Sequence, residues 1–208
     1  MIATLWTGWH NSQLISQAMT AVDSQGISDD LSLTNGDLQS PRRSRAPGED
    51  SSVVASSFQD REQLTDSFLL AKLSKEKREI AALEQLTFEL VNQYRAVLDL
   101  APLELNPQIS EQARIHSENM ASFFVPLGHD GFKSRLAALK ETITYRSGSE
   151  NVAYNFGYSN PVSEAIIGWI NSPGHHQTMV GNYNLTGIGV AKNDRGEYYL
   201  TQIFILER

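Results

Sequence analysis

Residues 88–121 read FELVNQYRAVLDLAPLELNPQISEQARIHSENMA, and the spacing of their apolar positions decides the fold class. Together with the residues just upstream, Leu83, Leu86, Leu90, Val91, Tyr94 and Val97 recur every three or four residues, the repeat of one helix face, so this stripe belongs to a core. Asn106-Pro107 then opens a second helix: an Asn side chain caps the free amides of a first turn, and Pro at the first helical position removes a donor that would have had no partner. Ile109, Ala113, His116 and Met120 share one face of that helix. His116 lies at the edge of the apolar stripe, a setting that reads as structural rather than ligating.

Downstream, Pro161 to Trp169 reads as a further helix with Asn160 as its N-cap and Val162, Ile166 and Trp169 on one side. It stops before Ser172-Pro173-Gly174. Gly187 to Lys192 and Glu197 to Ile205 are rich in β-branched and aromatic residues and are joined by Asn193-Asp194-Arg195-Gly196, which predicts a hairpin. Helices early and strands late describe an α+β layered domain rather than a repeating βαβ sheet.

Upstream, Phe58 to Ala82 alternates charges with Leu and Ala and lacks Pro and Gly, so it reads as a helix leading into the domain. Residues 20–60 are rich in Ser, Asp, Gly and Pro and cannot bury enough apolar area to offset the entropy of ordering, which predicts a disordered linker. Arg42, Arg43 and Arg45 read as a solvated charge cluster within it. The expected organisation is a disordered N-terminal segment over 1–60, a helical lead-in over 61–82 and one domain over 83–208.

A net charge of −7 and a pI near 5.2 argue against broad attraction to nucleic acid or anionic lipid, and no nucleic-acid partner is expected. The absence of cysteine excludes disulfides, thiolate catalysis and Cys-based metal sites. No segment reaches the roughly 18 apolar residues of a membrane helix. The first residues, MIATLWTGWHNSQLISQAM, lack a basic start and an unbroken apolar run, so they do not read as a secretory signal, which leaves a cytoplasmic location open.

Four clusters carry the chemistry: Gly128-His129-Asp130-Gly131, Ser149-Glu150-Asn151-Val152-Ala153, Trp169-Ile170-Asn171-Ser172-Pro173-Gly174-His175-His176, and Tyr199-Leu200-Thr201-Gln202-Ile203-Phe204. In this order, after the 88–121 stretch, they resemble the bacterial branch of the CAP superfamily (secretory, antigen 5, pathogenesis-related 1) across about 120 residues. The resemblance implies a three-layer α–β–α sandwich with a groove lined by His129, Glu150, Ser172 and His175. It implies a divalent metal, zinc foremost, between His129 and His175, with Glu150 nearby or orienting a ligand, and an extracellular or envelope location. Neutral imidazoles beside a carboxylate suit such an ion on chemical grounds as well.

Departures from the family pattern are visible. Ser172 stands where eukaryotic members carry a second Glu; Ser149 replaces the Gly of a Gly-Glu-Asn motif, which makes a positive φ harder to adopt; and His176 replaces an Arg, adding a second possible ligand. Glu164 reads as a solvated helix residue and Asp130 as a turn residue. Ser172 beside His175 suggests a nucleophile pair, but a turn serine before Pro explains it without an oxyanion hole. Trp169, Tyr183, Tyr199 and Phe204 are expected in the core.

Three functions compete on these residues. One is a binding module whose groove holds a divalent ion and a lipid, cell-envelope or protein ligand. The second is a metal-dependent hydrolase or peptidase with Glu150 as base, and the third an interaction protein whose groove is vestigial. A purely bracing hydrogen-bond network among His129, Glu150 and His175 is the structural alternative to a ligand site.

Overall fold

A computed structural model describes residues 51–208, with side chains from Ser67 onward. The arginine cluster at 42–45 and most of the stretch read as linker lie outside the described residues. The chain divides into two compact units, and the fold is carried by the one containing Glu79–Arg208; the described part of the other is helical.

Helix α1 spans Ser51–Val97 without a break. It therefore begins inside the stretch read as linker and joins the lead-in to the first helix of the domain. Its last turns bury Leu90, Val91 and Tyr94, as the spacing predicts. The helix stops where Asp99 enters the left-handed region and Leu100 N–H returns to the carbonyl of Arg95. Arg95 is buried and spends its donors on the carbonyls of Ala101, Met179 and Gly181, which ties this terminus to the far end of the chain.

Strand β1 (Glu104–Leu105) leads to α2 (Pro107–Ala121), where Asn106 Oδ1 accepts the N–H groups of Gln108 and Ile109. Then follow α3 (Phe132–Leu139), β2 (Tyr145–Asn155), α4 (Pro161–Asn171), α5 (Pro173–Met179), β3 (Leu185–Lys192) and β4 (Tyr198–Glu207). Asn160 caps α4 through the N–H of Ser163. The expected hairpin is the antiparallel β3–β4 pair. Sheet order is β1-β3-β4-β2, with β1 parallel to β3 and β2 antiparallel to β4, so β2 is an edge strand.

Alternation along β4 sorts the core into two layers. Leu200 and Phe204 pack with Leu90, Val91, Tyr94, Val162, Ile166 and Trp169 from α1 and α4. Tyr199, Ile203 and Ile205 point the other way, toward α2 and α3, with Ile109, Ala113, Met120 and Leu139. The result is the α–β–α sandwich that the resemblance implies. On the α2 face the backbones nearly touch: a Cβ at Gly187 would stand 2.2 Å from Ile109 C, and one at Gly189 2.1 Å from Arg114 N.

Candidate functional site

Glu150 is set by the pleat of β2. Its neighbours Ser149 and Asn151 turn toward α5, where Ser149 Oγ meets Thr178 Oγ1 at 3.1 Å and Asn151 Nδ2 donates to the His175 carbonyl at 3.0 Å. Glu150 points to the opposite side of the sheet, toward α3. Among the described non-glycine residues only Asp99 and Phe123 have positive φ, so Ser149 in place of Gly costs no backbone strain.

The Glu150 side chain is 1% exposed, and its charge is met by Arg135 of α3. Arg135 Nε donates to Oε2 at 2.9 Å, and its NH2 to Oε1 at 2.8 Å and Oε2 at 2.7 Å. A further Arg135 nitrogen donates to the Asp130 carbonyl at 2.8 Å. Asp130 thus contributes its backbone, while its side chain lies at the surface. Sequence reasoning missed Arg135. Its only signal is being one of two cations in the amphipathic stretch FKSRLAAL, and such residues are usually solvated.

His129 stands over this pair, with Nδ1 3.0 Å from Glu150 Oε1 and a side chain 52% exposed. A carboxylate only accepts, so Nδ1 carries a proton, and in the neutral ring Nε2 bears the lone pair. His116 supports the same loop from below: buried in α2, its Nε2–H donates to the Gly128 carbonyl at 2.8 Å. Burial pushes the His116 pKa down, and the bond to Gly128 only partly opposes it. The structural reading of His116 agrees with this geometry.

His175, at the start of α5, reaches His129 from the other layer; the ring centroids are 6.4 Å apart and the planes inclined by 44°. Its pKa is lowered by burial first and by the neighbouring His129 second, which favours the neutral, lone-pair-bearing form. His176 turns away. Its Nε2 lies 2.9 Å from the buried Tyr94 hydroxyl, with the rings edge to face, so it braces α5 on α1. Ser172 joins α4 to α5, and its hydroxyl makes no capping bond. Glu164 is half-buried in the first turn of α4. Trp169 is in the core and donates to the Val152 carbonyl at 3.0 Å.

The donor set is therefore two imidazoles from opposite layers meeting over an edge strand. Glu150 is not a third ligand, because four contacts fill its acceptor sites. Among the described residues no group of three or more His, Asp or Glu converges as a metal-holding cluster. What fits is a partial site of His129 Nε2 and His175, with Glu150 fixing the His129 tautomer as carboxylates do behind metal-bound histidines. Any remaining positions would fall to water or a ligand.

An α–β–α sandwich with paired histidines over its edge strand defines a small class of domains. Residues 88–204, more than half of the chain, match the family model described as CAP, the cysteine-rich secretory protein family, and the chain belongs to that family. Its bacterial character is carried by YkwD of Bacillus subtilis (strain 168), 32% identical over 131 residues, with 61% of this chain and 48% of that protein covered. The chain thus spans about half the length of this relative. Among solved structures, an extracellular protein containing an SCP domain from Bacillus anthracis strain Ames is 28% identical with a TM-score of 0.53, over 64% of this chain and 43% of that one. An outer surface protein from Borrelia burgdorferi has the same TM-score of 0.53 at 14% identity, over 61% of this chain and 94% of that one, and shows the shared fold. The name of the family notwithstanding, this member has no cysteine.

Proposed function

We propose that the chain is a binding module whose groove holds a divalent ion, zinc by donor chemistry, between His129 and His175, and beside it a lipid, cell-envelope or protein ligand. The observation that carries this reading is the hydrogen bond from His129 Nδ1 to Glu150, which leaves Nε2 on a half-exposed ring beside His175. The ion would supply a Lewis-acidic centre for an anionic or carbonyl group of the ligand. The chain's own residues orient it: Arg135 holds Glu150, Glu150 holds His129, and Asn151 holds the backbone of His175.

The same geometry weighs against Glu150 as a hydrolytic base, since a carboxylate engaged by Arg135 and His129 has no acceptor site left for a water proton. The extracellular SCP-domain protein from Bacillus anthracis supports an extracellular or envelope location for this chain too. No helix among the described residues is long and apolar enough to cross a membrane.

Calorimetric titration of zinc into the metal-free full chain near neutral pH tests the reading, since unperturbed histidines are then mostly neutral. One-site binding that disappears in His129→Ala/His175→Ala is expected. A folded wild-type chain that takes up no zinc would make the cluster a bracing network.

A further inference from the structure

His129 is carried by the connection between α2 and α3, residues 122–131, in which every residue is exposed or half-buried. Loops of this kind move more than the elements they join, so a side chain that must meet a partner from another layer needs its backbone held. The ends of the connection are tied by their own backbone. The N–H groups of Ser122, Phe123, Phe124 and Val125 return to carbonyls at the end of α2, and those of Ser134 and Arg135 bond the Gly131 carbonyl. Between these ties, and among the described residues, residues 126–128 take part in a single hydrogen bond, from His116 Nε2 to the Gly128 carbonyl at 2.8 Å.

That bond is placed to act on His129. The Gly128 carbonyl belongs to the peptide that joins Gly128 to His129, and the carbonyl on the far side, that of Asp130, accepts from Arg135 at 2.8 Å. The backbone of His129 is thus gripped from α2 on one side and from α3 on the other. Gly128 adopts φ 149°, a conformation that residues with a side chain rarely take, while a Cβ there would meet nothing within 4 Å, so the glycine serves the backbone path and not the packing. Because Gly128 is half-buried, water would satisfy its carbonyl equally well, and what the bond supplies is position.

The other end of the grip is rigid. His116 is 2% exposed, and its neighbour Ser117 is tied to both central strands: Ser117 Oγ donates to the Gly189 carbonyl at 2.9 Å and lies 2.8 Å from Thr201 Oγ1. Helix α2 itself lies against β3 at Gly187 and Gly189, where backbone meets backbone. Burial lowers the His116 pKa, so near neutral pH the ring is uncharged and has one N–H, which Gly128 takes.

We infer that His116 is a positioning residue of the histidine site: through the Gly128 carbonyl it fixes the backbone from which His129 reaches Glu150 and His175. It ligates nothing itself. Its effect on zinc affinity rests on the reading of the groove as a metal site, whereas its effect on the contact between His129 and Glu150 does not need the ion.

The test uses the full chain labelled with nitrogen-15 at histidine, with zinc as the probe, and compares His116→Leu with His116→Gln. Leu fills the site without a donor, and the Gln amide donates from nearly the same reach as Nε2. In His116→Leu, zinc affinity is expected to fall at least about tenfold, and in the metal-free chain the His129 signals to move from the Nδ1–H pattern toward a mixture of tautomers. His116→Gln is expected to retain both. Val162→Ala, which removes volume from the core on the opposite face of the sheet, is expected to lower the melting temperature and leave both readouts unchanged. Gly128→Ala strains the same link from the loop side and is expected to repeat the losses of His116→Leu, which keeps the test open should that variant fail to fold. His129 signals that keep the Nδ1–H pattern in the folded members of the pair His116→Leu and Gly128→Ala overturn the inference, with or without zinc. Equal losses in His116→Leu, His116→Gln and Val162→Ala overturn it in favour of a general effect of stability. A wild type that binds no zinc, but whose His129 tautomer shifts in His116→Leu, refutes the metal reading and sustains the positioning role.

Discussion

Removing the guanidinium of Arg135 leaves an ionised carboxylate, 1% exposed, with only His129 to compensate it. Breaking a buried pair in this way costs about 3–5 kcal/mol, whereas neutralising both partners costs less. Arg135→Gln is therefore expected to shift the urea midpoint strongly downward, and Arg135→Gln/Glu150→Gln to recover part of the loss. His116 gives a pH signature. Its folded-state pKa is lowered, chiefly by burial, so the unfolded chain takes up the proton first as pH falls through the ordinary value of 6.5. Stability is complete above that value and declines below it until the folded form also protonates. The lowered His175 adds to the decline with the same sign. A melting-temperature series is expected to fall between about pH 7 and about pH 5, and His116→Gln, which can still donate to Gly128, to flatten it. At this scale the sequence shows the ligand-type residues but not their counter-charge. His129, Glu150 and His175 stand in short motifs, while Arg135 acquires its meaning only when α3 folds back over β2.

Helix α2 lies so close to β3 that the contact tolerates no side chain at two positions. Gly187→Ala and Gly189→Ala would drive a methyl group into backbone atoms at 2.1–2.3 Å, and each is expected to lower stability by about 3 kcal/mol or more in chemical denaturation. Gly168 is the contrast. It lies inside α4, where an added methyl group would meet nothing within 4 Å, and Gly168→Ala is expected to gain about 0.5–1 kcal/mol. Elements with a strong period or a clear cap were legible in sequence: α2 and α4 from Asn-Pro caps and apolar stripes, β3 and β4 from β-branched runs. Strand β2 was not, because YRSGSENVAYN is polar and carries Gly, as an edge strand under a functional site can be. Short α5, whose sequence is PGHHQTM, has too few residues for a period to show.

The molecule has its buried apolar residues on both faces of the sheet. The histidines come from different layers, His129 from the α2–α3 side and His175 from the α5 side. Under the proposed reading, an ion held between the two layers would bind only the folded molecule. Zinc at one hundred times its dissociation constant is thus expected to add about 2.7 kcal/mol to stability, read as a higher melting temperature that His129→Ala/His175→Ala does not show. The layered architecture was legible from the order of helices and strands. The meeting of two layers over an edge strand was not, because it depends on a sheet order in which β2 lies beside β4.

The most direct test of this arrangement is a nitrogen-15 spectrum of the full chain labelled at histidine, recorded before and after addition of zinc. The protonated nitrogen of His129 is expected to be Nδ1, held by Glu150, and zinc is expected to shift the bare Nε2 together with one ring nitrogen of His175. A His129 ring protonated at Nε2, or a spectrum in which zinc moves neither histidine, would contradict it.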